Sequence, residues 1–221
     1  MKMKTRRQVL KLFLGVNAGL LTFGGFPGLW WPRVRAAKVK TVLAPDTPMS
    51  SLINRNPADL DSSRLALTPL EEFQTMGQTE HEVDLENWRL TVAGEVEEER
   101  RFSYRQLLQL PSIEHDVLLI CPGFFAYNAR WKGVSAAALL KSGGVKPDAA
   151  NVTFSGPGGR RTYRETYSLA EVQADTVFLA YEVNGVPLPE KHGYPLRVVA
   201  AGHYGYSWVK YVDTVHAGKK Q

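Results

Sequence analysis

Hydrophobic positions along the chain fall mainly into short runs of strand length. Residues 88–93 alternate between apolar and polar side chains and end at Gly94, and residues 117–121 form an unbroken apolar run that ends at Pro122-Gly123. Both patterns predict strands, because successive side chains of a strand point to opposite faces and turn residues mark its end. Similar runs predict further strands at residues 152–155, 176–183, 196–200 and 209–215.

The helices that the pattern predicts are short. Ser103 is a good N-cap for a helix over residues 104–109. Residues 134–141 predict a second helix, for which Gly143 is a suitable C-terminal stop. Residues 168–171 read Ser-Leu-Ala-Glu, which has the spacing of a capping box and predicts a third helical start.

Composition and periodicity divide the chain into three parts. Residues 1–36 have the character of a targeting segment, residues 37–66 are expected to be an extended arm or a linker, and residues 67–221 are expected to form one domain. The sequence shows neither an alternation of strands with long helices nor a G-x-G-x-x-G motif after a strand, which excludes a Rossmann fold. The predicted class is therefore α+β, mixed and β-rich.

The first segment has the pattern of an export signal. Arg6 and Arg7 stand directly before an apolar stretch that runs to about Trp31. The paired arginines indicate the twin-arginine route, which carries folded proteins, and an ordinary secretory signal is the alternative. Because about 20 apolar residues are enough to cross a bilayer, an uncleaved anchor also stays open. In either case a periplasmic location is expected, with or without a membrane tether.

The net charge of +5 does not indicate a nucleic-acid partner. Residues 1–36 carry seven basic side chains and no acidic one, which leaves a net charge of −2 for residues 37–221. A folded part that is close to neutral lacks the basic surface that a phosphate backbone requires. No nucleic acid is therefore expected among the partners.

Cys121 is the sole cysteine of the chain. An intrachain disulfide is therefore impossible, and a zinc site would depend almost wholly on other ligands. The end of a buried strand, followed by a Pro-Gly turn, places this thiol at the rim of a sheet. A thiolate there is suited to complete the sulfur coordination of a metal, since metal binding itself deprotonates a thiol. A buried cysteine without a function is the alternative.

A series of motifs, taken in order and spacing, resembles one family. The matching residues are Leu67-Thr68-Pro69, Phe73, Asp84, Trp88-Arg89-Leu90, Gly94, Cys121, Trp131-x-Gly133-Val134, Leu139-Leu140, Asn184-Gly185-x-Pro187-Leu188-Pro189, His192-Gly193-x-Pro195-Leu196-Arg197, Tyr204-Gly205 and Val209-Lys210. From about Leu67 to Val215 the chain is similar to the molybdopterin-binding domain of the sulfite oxidase family. The resemblance implies that fold and an oxidoreductase whose cofactor is molybdenum–molybdopterin. It does not extend to the family's C-terminal dimerisation domain or its catalytic tyrosine.

The resemblance also implies the residues of the site. Cys121 corresponds to the one protein ligand of molybdenum. The positions that correspond to contacts with the pterin or its phosphate are His192, Arg197, Trp208, Val209 and Lys210, with backbone contacts at Trp208 and Val209. A guanidinium fork suits a pair of phosphate oxygens, and an ammonium supplies a second cation, which agrees with these roles. A purely structural role is the alternative for each residue.

Two departures from the family concern the substrate. Its animal and plant sulfite oxidases have an arginine-asparagine-histidine run where residues 73–79 read Phe-Gln-Thr-Met-Gly-Gln-Thr, and no cation follows the cysteine here before Arg130. A doubly charged sulfite ion requires cations near the metal. The pocket candidates are aromatic instead: Phe124, Phe125, Tyr127, Tyr204, Tyr206 and Trp208. Tyr127 and Tyr206 are the expected catalytic side chains beside Cys121.

These features predict an exported enzyme that transfers an oxygen atom to or from a small, neutral S-oxide or N-oxide. It resembles the single-domain, twin-arginine-exported members that reduce methionine sulfoxide and take electrons from a membrane haem protein. An oxidase of sulfite or a related sulfur anion is the first alternative, and a cofactor-free binding module is the second. Because the chain contains no C-x-x-C-H haem motif, an external electron carrier is expected, either a haem membrane protein or a soluble cytochrome.

Overall fold

Strands dominate the part of the chain that the computed structural model describes, residues 39–157 and 163–220. The strands are β1 (Thr41–Val42), β2 (Leu60–Asp61), β3 (Arg89–Gly94), β4 (Arg100–Ser103), β5 (Ser112–Cys121), β6 (Phe125–Val134), β7 (Ala149–Ser155), β8 (Arg164–Ser168), β9 (Val177–Val183), β10 (Val186–Pro187), β11 (Arg197–Ala200) and β12 (Thr214–Lys219). The α-helices are α1 (Tyr104–Leu108), α2 (Ala136–Ser142) and α3 (Leu169–Gln173), and short 3-10 turns span Met49–Ser51, Pro57–Asp59, Leu70–Glu72, Glu190–His192 and Gly205–Ser207. The predictions for residues 1–36 lie outside the described residues.

Two sheets supply most of the structure. The first has the order β10-β9-β6-β5, with β11 also paired to β9, and the second has the order β4-β3-β12-β7-β8. Pairing within both sheets is antiparallel except between β3 and β12, which run parallel. One buried apolar cluster draws side chains from both sheets and from the helices. The predicted β-rich α+β class is confirmed.

The hairpin of β5 and β6 positions the cysteine. Cys121 pairs with Phe125 at the end of the ladder, and the Phe124 amide donates to the Cys121 carbonyl at 3.1 Å. Pro122 followed by Gly123, whose φ is +79°, is the sequence signature of a type II turn. The thiol therefore lies at the rim of the sheet, as the Pro-Gly pattern predicts.

Gly133 allows β6 to join β9. A Cβ atom at this position would lie 1.8 Å from the Leu179 carbonyl oxygen, which no side chain tolerates. The register between the two strands shifts at the same point, between Lys132 and Gly133. Glycine in the Trp131-x-Gly133-Val134 motif is thus a requirement of close backbone approach at a β-bulge.

The residues before the domain pack against the outer face of this hairpin. Buried leucines at positions 43, 52, 60 and 65 form a second apolar cluster with Leu118, Ile120 and Ala126. Buried Asn128 donates from its side chain to the Leu65 carbonyl at 2.9 Å and from its amide to the Thr68 hydroxyl at 3.2 Å, and its carbonyl accepts from the Thr68 amide at 2.8 Å. Because Leu118 and Ile120 alternate with Leu119 and Cys121, the hairpin is covered on both faces.

The helices predicted to begin after Ser103 and Ser168 do so, whereas several other predicted bounds are wrong. The predicted N-cap at Ser103 is present and forms a full capping box with Gln106, and the predicted capping box at Ser168 is present. The second helix begins at Ala136, because Val134 still belongs to β6. The predicted strand at residues 209–215 begins only at Thr214, since Tyr211 has a φ of +57°. Strand β6 itself was not predicted. In the described part of the chain, no helix is long and apolar enough to cross a membrane.

Candidate active site

A cavity of about 410 Å³ opens beside the turn between β5 and β6. Its walls come from the hairpin, from residues 74–78, from the start of β11 and from residues 205–211. The lining brings together six of the predicted site residues, which are Cys121, Tyr127, Arg197, Tyr206, Trp208 and Lys210. The other two predicted residues, His192 and Val209, are buried next to the cavity but do not line it. Its volume is in the usual range for a small-molecule site.

Cys121 presents a partly exposed thiol to this cavity. Burial raises the pKa of the thiol, so it is protonated at neutral pH when no cation is close. Its sulfur lies 3.3 Å from the thioether sulfur of Met76, to which the thiol can donate a weak hydrogen bond. A thiol in this state becomes a ligand only when a metal replaces its proton.

Arg197 is a cation enclosed by aromatic rings. Only 3% of it is exposed, and its Cζ lies 5.0 Å from the ring centre of Trp131 and 5.5 Å from that of Trp208. One terminal nitrogen donates to the His192 carbonyl at 3.0 Å, whereas the buried Nε has no partner among the described residues. Burial lowers the pKa of Arg197. A buried guanidinium with an unsatisfied donor, on a cavity wall, is suited to an anionic or hydrogen-bond-accepting group.

His192 is enclosed even more completely. It is 1% exposed, the edge of its ring packs against Phe73, and neither ring nitrogen has a hydrogen-bond partner in the described structure. Burial, followed by the positive charge of Arg197, lowers the pKa of His192 to about 4. The ring is therefore neutral at pH 7, with one nitrogen free to donate and the other to accept.

A pH effect on stability follows from His192. Without cofactor, the unfolded chain takes up this proton near the ordinary histidine pKa of 6.5, whereas the folded chain does so only at about 4. The unfolded state therefore binds more protons in this window, and the free energy of unfolding should fall as the pH drops from 6.5 to 4. His192→Leu should make this fall less steep in denaturant titrations of cofactor-free protein at pH 7 and pH 5. The exposed His216→Gln variant is the control, and an unchanged slope in His192→Leu would contradict the assignment.

Lys210 is already held by the protein. Its Nζ lies 2.6 Å from Thr75 Oγ1, 3.0 Å from the Met76 carbonyl oxygen and 2.9 Å from the carbonyl oxygens of both Gln78 and Lys191. Burial, with a smaller effect of Arg197, lowers the pKa of this ammonium to about 8. Because an ammonium has only three protons, four acceptors leave none for a phosphate in this arrangement.

Backbone groups of Trp208 and Val209 also form hydrogen bonds within the protein. The Trp208 amide donates to the Gly205 carbonyl at 3.2 Å, and the Val209 carbonyl accepts from the Val198 amide at 2.8 Å. The indole of Trp208 donates to the His203 carbonyl at 3.2 Å. The structure therefore gives Trp208 a place in the cavity wall and Val209 a place in the core.

Aromatic side chains form both the wall and the mouth of the cavity. Tyr127 is 2% exposed and stacks on Phe73, with ring centres 4.1 Å apart. Burial raises the pKa of Tyr127, an effect that Arg197 opposes, and its hydroxyl is neutral at pH 7. Phe124 and Tyr206 lie at the mouth, where they are 62% and 69% exposed. The sixth aromatic candidate, Tyr204, does not line the cavity and packs with the second apolar cluster.

Gly193 lets two site segments approach each other. Its φ is +112°, and a Cβ atom there would lie 3.0 Å from the Cβ of Lys210 and 3.1 Å from the Cβ of Arg197. An L side chain would therefore be strained by its backbone and crowded by both cations. This explains the glycine in the His192-Gly193-x-Pro195-Leu196-Arg197 motif.

Sequence reasoning did not find the role of residues 74–78, which we call loop 74–78. Its residues line the cavity, and Met76 touches Cys121. Tyr163 also lines the mouth and was not predicted. The departure from the sulfite oxidase pattern after Phe73 could have indicated the role of this loop. A loop whose sequence differs from the family within an otherwise matching region often determines substrate specificity.

Comparison with known proteins agrees with this geometry. The family model described as "Oxidoreductase molybdopterin binding domain" matches residues 76–221. The chain belongs to this family. Molybdopterin is therefore the cofactor of this oxidoreductase domain, and the alternative of a cofactor-free binding module is wrong.

Curated relatives of this molybdopterin-binding domain include several enzymes. A nitrate reductase [NADH] of Cichorium intybus is 32% identical over 160 residues, which cover 59% of this chain and 17% of that one. The protein-methionine-sulfoxide reductase catalytic subunit MsrP of Gluconobacter oxydans is 29% identical over 156 residues, covering 64% and 49%. The oxidoreductase YuiH of Bacillus subtilis is 29% identical over 145 residues, covering 65% and 72%. The chain thus spans less than half of the first two relatives.

A solved structure shares the fold. The sulfane dehydrogenase SoxCD of Paracoccus pantotrophus superposes with a TM-score of 0.59 at 27% identity, covering 63% of this chain and 40% of that chain. The molybdopterin-binding fold predicted from the motifs is confirmed.

The residues that line the cavity fit the family's cofactor. A thiol on one wall is available as a metal ligand, and the unsatisfied Nε of buried Arg197 is available to an acceptor. The two unsatisfied ring nitrogens of His192 lie behind the same wall, within electrostatic reach of Arg197. Unpaired buried polar groups cost stability unless a ligand satisfies them, so their presence here favours a built site for a polar heterocycle.

Proposed function

We propose that this chain is an exported molybdenum–molybdopterin oxidoreductase that transfers an oxygen atom to or from a small, neutral S-oxide or N-oxide. The supporting observation is the lining of the cavity next to Cys121. The described lining residues include two cations, of which Lys210 is engaged by four protein acceptors and Arg197 is proposed to contact the cofactor, so neither is assigned to the substrate. The remaining wall is largely aromatic and apolar, which suits an uncharged substrate better than a doubly charged anion.

Each residue of the site has a proposed part in this function. Cys121 ligates molybdenum, and Arg197 and His192 bind the pterin or its phosphate. When bound, the cofactor supplies the two-electron change that accompanies transfer of an oxygen atom. Reduction of an S-oxide takes two electrons and two protons and releases the sulfide and water. The neutral hydroxyl of Tyr127, in the cavity wall, is suited to donate a hydrogen bond to the oxide oxygen.

Tyr206 is proposed to contact the substrate rather than the cofactor. It is largely exposed at the mouth of the cavity and stacks on Tyr204, with ring centres 5.6 Å apart. An aromatic face at this place packs against the apolar part of an entering molecule.

Export and an external electron carrier complete the proposal. The paired arginines before the apolar segment support the twin-arginine route, and fractionation of intact cells tests it. MsrP is named as a catalytic subunit, which supports a separate electron-carrying partner for this chain as well. A haem membrane protein or a soluble cytochrome is the proposed carrier.

Substrate turnover tests the proposed reaction. Purified protein loaded with cofactor should reduce a neutral methyl sulfoxide with reduced viologen as the electron donor, and it should oxidise sulfite poorly with an artificial acceptor. Tyr206→Ala should raise the KM for an aryl methyl sulfoxide more than the KM for dimethyl sulfoxide, because only the aryl ring loses a stacking partner. Efficient sulfite oxidation with no sulfoxide reduction would overturn the proposal. The similarity to the sulfane dehydrogenase SoxCD keeps a sulfur-compound oxidase as the second candidate.

A further inference from the structure

Loop 74–78 reaches across the cavity to the proposed metal ligand. The thioether sulfur of Met76 lies 3.3 Å from the sulfur of Cys121, which is closer than two sulfur atoms come without an attractive contact. Met76 is itself 47% exposed and lines the same cavity as Cys121. The Met76 side chain thus packs directly against the sole cysteine.

Lys210 is the main attachment of this loop. Three of its four hydrogen-bond acceptors belong to the loop, and the fourth, the Lys191 carbonyl, belongs to the turn that carries His192. The loop has two further anchors, a bond of 3.3 Å from Thr75 Oγ1 to the Lys191 carbonyl and one of 3.2 Å from the Tyr211 hydroxyl to the Gln78 carbonyl. Bonds to a charged donor are stronger than such neutral ones, so Lys210 dominates.

The centre of the loop is not held by packing. Gly77, at its centre, has a φ of +76° and open space where a Cβ atom would lie. A loop with a glycine and an exposed methionine, joined to the body mainly through one ammonium, should move when that ammonium is removed.

We propose that Lys210 is a positioning residue for Cys121: it holds loop 74–78 so that the Met76 thioether covers the metal-ligating thiol. This role differs from that of a phosphate ligand, for which free protons on Nζ are necessary. It concerns the placement of the ligand and does not depend on which substrate the enzyme uses.

Thiol reactivity measures this cover directly. Because Cys121 is the sole cysteine, iodoacetamide labels one site, and the full-length chain is produced in a host that makes no molybdopterin. Lys210→Met should increase the labelling rate at least about tenfold, since the loss of a single charge-assisted hydrogen bond already gives that factor and Lys210 has several acceptors in the loop. Thr75→Val removes one acceptor of Lys210 and should give a smaller increase. Met76→Ala should increase the rate at least as much as Lys210→Met, whereas Met76→Leu keeps the apolar cover and should change it little.

Two lysine variants separate positioning from a general charge effect. Lys191→Ala removes an exposed cation but leaves the carbonyl that accepts from Lys210, so its labelling rate should equal that of the unmodified sequence. Lys210→Arg keeps the charge, yet its planar fork does not fit four acceptors around one point, so its rate should rise as in Lys210→Met. The free energy of unfolding, measured in parallel, identifies variants that react faster only because they unfold.

Two outcomes of the labelling experiment would overturn the proposal. Unchanged labelling in Lys210→Met and Thr75→Val, in folded protein, would show that Lys210 does not hold the loop. Unchanged labelling in Met76→Ala would show that the thioether does not cover the thiol. This test remains decisive even if Lys210→Met fails to fold.

Discussion

Cys121→Ser should give a folded, soluble protein that retains much of its molybdopterin and has lost nearly all turnover. The change removes little volume from a partly exposed position, so the free energy of unfolding should change by no more than about 1 kcal/mol. Arg197 and His192, the proposed pterin contacts, are unaltered, so the pterin should remain bound. A serine hydroxyl does not replace a thiolate in the electronic environment of the metal. The loss of turnover should therefore exceed the roughly 10–100-fold typical of changes outside the ligand sphere.

Metal content, turnover and the molybdenum electron paramagnetic resonance spectrum together decide this prediction. The spectrum of Cys121→Ser should differ from that of the unmodified protein, because a sulfur ligand has been lost. Met76→Leu is a matched control, since it changes the neighbouring sulfur but leaves the ligand. Native turnover and an unaltered spectrum in Cys121→Ser would refute the ligand assignment even if molybdenum is bound.

Arg197→Met should separate stability from cofactor binding. Methionine fills the space between the rings of Trp131 and Trp208 without a charge or an unsatisfied donor. Replacing a buried charge with an apolar side chain is often neutral or stabilising, so the cofactor-free variant should unfold at no lower denaturant concentration. Molybdopterin per purified chain should nevertheless fall about tenfold or more, since a charge-assisted bond is worth about 1.5–3 kcal/mol.

The control for Arg197→Met is an arginine outside the cavity. Arg130 forms an ion pair with Asp116 at 2.8 Å on the hairpin, and Arg130→Met should leave the molybdopterin content unchanged. Arg197→Lys keeps the charge but not the planar fork, and it should retain part of the cofactor. If Arg197→Met is fully loaded with molybdopterin, Arg197 is not part of the cofactor site.

Local patterns were sufficient to predict the elements that local chemistry determines. The Pro122-Gly123 turn, the N-cap at Ser103 and the capping box at Ser168 are formed by residues within a few positions of one another, so the local sequence is sufficient to determine them. Strand β6 escaped prediction for a different reason. It is buried on both faces for much of its length, because residues 43–65 cover one of them, and the alternation that reveals a half-buried strand is absent.

The arrangement of the candidate site depends on contacts between distant residues. Lys210 and Thr75 are 135 positions apart, and no periodicity links them. The resemblance to a known family predicted that Lys210 belongs to the site. It did not predict the four acceptors that bind its ammonium. The strand predicted at residues 209–215 begins only at Thr214, since Tyr211 has a φ of +57° and its amide donates to the distant Gly193 carbonyl at 3.3 Å.

The leucine-rich segment 43–65 belongs to the same folding unit as the region matched by the family. The region matched by the family begins at residue 76, yet the reverse side of the strand that ends in Cys121 is sealed by side chains that precede it. Leu118 and Ile120 would face water in a domain cut at that boundary, directly behind Leu119 and the ligand. The family match and the packing behind the proposed metal ligand therefore involve different stretches of the chain, and segment 43–65 supports the site without lining the cavity.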